Sequence, residues 1–404
     1  FYTMIFGLPA TIVVCVLGKS MLWLIDGILL LVFVPIFPLF LAGVLGILIS
    51  LVSDRFKFGN LISVLFYMVF LAGIFYVSFS LNTSQGTEED LQSFLSLLNV
   101  FGWFNPSIKL FTMEYYILPH LLFVVANLVL LLSMVWLFAA CYDYFHFLMT
   151  ATKSYQKYVE KASVQKGQFK ALFQLDLKRY FTSKMYLMNT ITGGILCVVI
   201  TIIMIASFTS IKDPEALDVL NMISKYFVLL ILWCVGMQVP SSVAINFEGK
   251  HLWQIKSLPI DYKKYSLSKI LLSYVVLAPC VLIASGVLTI YLEKTFLNIF
   301  LTFVLPQAYL FSMCCFAYWI NMHLYKLNWS NETEAVKNSS GALLSMLADF
   351  CYTGILCLML IVPGVLGYFV VGAILSLIFV VGMAIASYVL VFKTCSRHLY
   401  RIEC

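Results

Sequence analysis

Long apolar runs separated by short polar breaks fill the chain. They cover residues 1–17, 21–50, 61–81, 117–140, 185–208, 225–245, 270–290, 296–320, 345–362 and 368–392. Most reach the roughly 20 residues that a helix needs to cross the hydrocarbon core of a bilayer. The runs are continuously apolar and do not alternate, which argues against a transmembrane β-barrel. The pattern predicts an all-α, polytopic transmembrane helical bundle, with about ten spans in this chain. The long run 21–50 holds Pro35 and Pro38 and is expected to be broken there. Pro240, Pro279, Pro306 and Pro363 mark further bends.

The polar breaks give the orientation. Segments 53–60, 141–184, 246–269, 321–344 and 393–404 carry 20 of the 25 Lys and Arg residues. Basic residues collect on the cytoplasmic side, so these five segments are assigned there and 82–116 outside. Three regions follow: a first membrane half (1–150), a basic cytoplasmic linker with an interfacial helix (151–184), and a second membrane half (185–404). In the linker, Phe169, Leu172, Phe173, Leu177, Tyr180 and Phe181 share one helical face, while Lys170, Gln174, Lys178 and Arg179 lie elsewhere. Such a basic amphipathic helix lies in the membrane interface, where anionic lipid adds about 1 kcal/mol per nearby Lys or Arg. In the outer loop, Thr87 followed by Glu88, Glu89 and Asp90 reads as a helix start.

Composition agrees with the pattern and narrows the chemistry. The chain is 62% hydrophobic and 11% charged, too apolar for a soluble domain. Its net charge of +6 reflects topology, so membrane lipids and not nucleic acid are the expected surroundings. Eleven cysteines without a CxxC pair read as free thiols, and the five histidines have no metal-ligand spacing. Gly18, Lys19 and Ser20 end like a phosphate-binding loop, but Val13 stands where that loop needs glycine. No catalytic motif, cofactor site or metal site is expected, and the chain is not expected to be an enzyme. Asp26, about a turn and a half inside a span, is the intramembrane acid with a candidate function, set against a structural role near the outer interface. Asp349 and Asp143 lie nearer the cytoplasmic ends and are expected to be solvated or paired.

The segment 241–269 lies between two membrane-length runs. Lys250, Lys256, Lys263, Lys264 and Lys269 face Glu248 and Asp261 in it. Leu252, Ile255 and Leu258 recur at helical spacing beside Trp253, and Pro259 ends the run. From the residues alone it is equally a partner-docking amphipathic helix or an interfacial loop whose lysines only fix topology. Asn246, Phe247, Glu248, Gly249 and Lys250, then Trp253 to Ile260, then Lys269, resemble a signature of ABC-2-type exporter permeases. Lys326 to Lys337 resembles a second motif of bacterial members. The resemblance implies the membrane subunit of an ATP-driven exporter in a bacterial cytoplasmic membrane. Glu248, Gly249, Trp253, Leu258 and Pro259 would form its coupling helix and contact an ABC ATP-binding subunit, in two copies, which holds the ATP and Mg.

The order of elements after 168 suggests two related halves, with the start of the first lying upstream of Phe1 and twelve spans in the native chain. An ion-coupled secondary transporter and, behind it, an intramembrane enzyme are the alternatives to the exporter.

Overall fold

The computed structural model describes residues 28, 31–32, 36–53, 59–83, 117–151, 167–210, 224–290 and 295–401. All regular structure among the described residues is helical. The chain divides into two compact units, residues 1–63 with 81–159, and 64–80 with 160–404.

In the first unit α1 (Ile36–Ser53) packs on α3 (Ile117–Ala151). Pro38 falls in the first turn of α1, where a missing N–H costs nothing. Helix α2 (Gly59–Thr83) follows α1; its residues 64–80, with Val64 and Met68 buried, belong to the second unit. Asp26 and the predicted helix of the outer loop lie outside the described residues.

The second unit is the better-packed body. Helix α4 (Gln168–Thr182) leads into α5 (Lys184–Ser210) and α6 (Phe227–Gly236). Two 3₁₀ turns, Pro240–Val243 and Asn246–His251, and the five-residue α7 (Leu252–Lys256) come next. Then follow α8 (Tyr262–Thr289), α9 (Phe296–His323), the short α10 (Glu332–Val336), α11 (Ser340–Val365) and α12 (Phe369–Arg401). Six segments between Lys184 and Tyr400 are long and apolar enough to cross a membrane. Helices α8 and α9 form the middle: α9 packs on α12, α8 and α11, and α8 also packs on α5 and α4. Tyr309, Leu310, Met313, Cys314 and Tyr318 of α9 are all fully buried.

Capping sets where the helices begin. Asp261 caps α8, its carboxylate accepting from the Lys263 N–H at 3.0 Å. The helix therefore starts eight residues before the apolar run that predicts it, and carries Tyr265, Ser268 and Lys269 into the core. Asn331 caps α10 and Ser339 caps α11 in the same way. Pro279 and Pro306 sit inside helices that run on past them. The predicted span 225–245 leaves α-helical geometry after Gly236, and Pro240 opens a 3₁₀ turn beyond it.

Candidate functional site

Four cytoplasm-assigned segments gather at one end of the second unit. They are α4, the stretch 246–261, the stretch 324–339 and the end of α12. Glu248, within the second 3₁₀ turn, is 2% exposed. Its carboxylate accepts from Arg179 of α4 through one oxygen and from Lys269 of α8 through the other. Tyr265 donates to it as well, at 3.2 Å. Lys269 reaches on to Asp176 of α4 at 2.7 Å, and Ser268 donates to the second oxygen of Asp176 at 2.7 Å.

Two acids and two bases therefore share one buried cluster, and its charges balance. Removing ions from water costs several kcal/mol each, which is repaid only by close geometry and satisfied hydrogen bonds. Both conditions hold for Glu248, Lys269 and Asp176. Below them, Tyr180 of α4 bonds Thr190 of α5 at 3.0 Å, and burial holds its phenol protonated well beyond the usual range.

A second set of contacts clamps the other side of the turn. Asn246 is fully buried. Its side-chain oxygen accepts from Asn321 at 3.0 Å and from the Lys326 N–H at 2.8 Å, and its amide donates to the Ala335 carbonyl at 3.3 Å. Trp329 donates to the Asn246 carbonyl at 2.7 Å, and its ring lies against Gly249. Gly249 has φ +52° and ψ −138°, a backbone state that side chains rarely enter. Phe247 stacks on Tyr186 with centroids 4.6 Å apart, and Ser183 donates to Glu332 at 2.6 Å. The two motifs read at 246–269 and 326–337 are thus two sides of one packed structure.

Above this base stands α7. Leu252 and Ile255 are buried beneath it, whereas Trp253 and Leu258 are 57% and 58% exposed. The helix ends at Lys256, so Leu258 leaves the predicted stripe and stands free on the following turn beside exposed Pro259. The sequence-predicted contact residues therefore separate into two groups. Trp253, Leu258 and Pro259 form a surface. Glu248 and Gly249 do not: the carboxylate is turned into the ion cluster, and the glycine is covered by Trp329. Their roles are corrected from partner contact to internal anchor. Asp176 belongs to the same anchor and was not singled out from the sequence. An acid at the centre of the face Leu172, Asp176, Tyr180 was its signal. Among the described residues no group of three or more His, Cys, Asp or Glu could hold a metal ion.

Residues 1–393 match the model of a family described as "Membrane protein of 12 TMs". The chain belongs to this family. It is accordingly a multi-pass integral membrane protein with a helical bundle. The match overturns the ABC-2 permease resemblance, for the family that covers nearly the whole chain is not that one. Locally, the residues behind the resemblance have an internal explanation: Glu248 and Lys269 form a buried ion pair and Gly249 takes a positive φ. No curated protein and no solved structure matches this member of the 12-TM family.

Proposed function

We propose that this protein is a membrane permease whose transport is driven or gated through a soluble cytoplasmic protein seated on α7. The observation that carries the reading is an exposed Trp253–Leu258 pair on a rigidly anchored turn. Large apolar residues lifted into solvent on a flexible loop would only collect at the lipid interface. Here the pair stands over a buried ion cluster that ties the turn to α4 and α8, so force applied to Trp253 is delivered to a membrane span. A soluble energy-supplying partner fits that arrangement, and ATP hydrolysis with Mg in the partner remains part of the proposal. We place the protein in a bacterial cytoplasmic membrane. Solute contact we assign to an open groove of about 820 Å³ between α8, α9 and α12. Its walls include Phe303, Phe311 and Ile385, with Tyr274, Gln307 and Tyr388 as polar groups, which suits an apolar or amphiphilic solute.

The test replaces Trp253 with a photo-crosslinking residue in cells. One adduct to a soluble protein is expected. Trp253→Ala should weaken that association by about 2 kcal/mol or more, roughly 30-fold, as aromatic anchors do. Thermal unfolding of the variant in detergent should not change. Adducts to lipid alone would mean that Trp253 is an interfacial anchor, and the docking role would be lost. An ATPase activity in the adducted protein tests the energy source separately.

A further inference from the structure

Among the described residues of the second unit, Asp349 of α11 is a buried carboxyl group with no cation beside it. It has no solvent exposure. One carboxyl oxygen accepts from the Tyr309 hydroxyl of α9 at 2.5 Å, and Tyr309 shares a hydrogen bond with Thr353 at 2.8 Å. The other carboxyl oxygen is buried without a hydrogen-bond partner among the described residues. Among the described residues no ion pair reaches Asp349, unlike Glu248 and Asp176. The space for it exists because α6 ends on glycine: a Cβ at Gly236 would stand 1.6 Å from the carboxyl oxygen.

The neighbours offer no positive charge. From α9 the titratable group is Tyr309, and from α6 it is the Cys234 thiol. The 240–243 turn has no titratable residue. On α11 itself, Tyr352 turns to Ser312 of α9 at 3.4 Å. On α12, Tyr388 packs on Phe311 and Phe392, and the basic residues begin only at Lys393. A carboxylate in this setting would be a buried charge with one hydroxyl and no cation to offset it, which costs several kcal/mol. One bound proton removes that charge and alters no packing.

We propose that Asp349 is a proton-binding site of the second unit. Its carboxylate takes one proton from water to become the carboxylic acid and returns it as the acid ionises. Tyr309 and Thr353 form the hydroxyl pair through which the proton is exchanged. Ionisable side chains turned into the interior of a membrane bundle mark such relays. The inference goes beyond the docking role of α7 and stands independently of it.

The experiment is an infrared titration of the purified full chain, following the carboxylic acid C=O band as pH is raised from mildly acidic to mildly alkaline. A band that fades with rising pH and is missing in Asp349→Asn is the expected result. Tyr309→Phe keeps the carboxyl group and the ring but removes one hydrogen bond, so it should displace the same band. That variant serves if Asp349→Asn does not fold. A wild-type spectrum with no titrating carboxylic acid band would overturn the proposal. So would a band that Asp349→Asn and Tyr309→Phe both leave in place.

Discussion

Lys269 holds the cluster together at the scale of single residues, because it alone touches both buried acids. Removing it leaves Glu248 with the half-exposed Arg179 and the Tyr265 hydroxyl, and leaves Asp176 with only a hydroxyl. Breaking a buried ion pair in this way costs about 3–5 kcal/mol. Lys269→Met is therefore expected to unfold far earlier than wild type in a thermal or denaturant titration in detergent. The double variant Lys269→Met with Asp176→Asn should recover part of the loss, since it removes the charge left without a cation. If the double variant were no more stable than the single one, the cluster would not be a charge-balanced anchor. The sequence made the charges of this region visible but not their pairing. Glu248, Lys269 and Asp176 lie up to 93 residues apart, and only the packing of α4 against α8 brings them together. Asp349 was read as solvated or paired for a similar reason: its place near a helix end suggested water, and the tertiary structure buried it.

The turn leading into α7 shows what short elements need. Gly249 joins a 3₁₀ turn to an α-helix through a backbone state open to glycine, and Trp329 closes over it. Gly249→Ala should cost about 1–3 kcal/mol, the usual range for a residue held in a sparsely populated conformation. The added methyl would also meet the Trp329 ring at 3.0 Å. Combining Gly249→Ala with Trp329→Leu separates the two causes. Measured against Trp329→Leu alone, which itself loses the hydrogen bond to the Asn246 carbonyl, backbone strain predicts that Gly249→Ala costs as much as it does in the wild type, and a cost that vanishes in an unfolding titration would show that the clash alone mattered. Element existence was legible here, since Leu252 and Ile255 announced a helix. Its length was not: Leu258 has the right spacing, but the helix ends at Lys256, and the spacing then ceases to describe which side of the chain is buried. The amphipathic helix at 168–182 was legible as an element, with Leu172 and Tyr180 of its predicted face buried; Phe181 of that face is exposed and the acid Asp176 is buried, because a hydrophobic period says nothing of a polar residue that has a partner.

For the whole molecule, the distribution of Lys and Arg is the strongest guide the chain supplies. It assigned α4, 246–269, 321–344 and the end of α12 to one side before any contact was known. In the fold these segments touch one another at a single end of the second unit: Arg179 meets Glu248, Ser183 meets Glu332, Asn246 meets Lys326 and Ala335, and Lys256 meets the Tyr400 carbonyl at 3.2 Å. Chance assignment of sides would not place all four at the same end. Absolute direction still rests on the charge rule, and it can be measured. Ser257 is exposed on the turn after α7, and residue 93 lies in the loop assigned outside. A membrane-impermeant maleimide applied to intact cells should label Ser93→Cys above the background of the native thiols. Ser257→Cys should become labelled only after the cells are opened. The opposite result would turn the protein over in the membrane and remove Trp253 from the reach of any cytoplasmic partner, so the orientation and the docking proposal stand or fall on the same measurement.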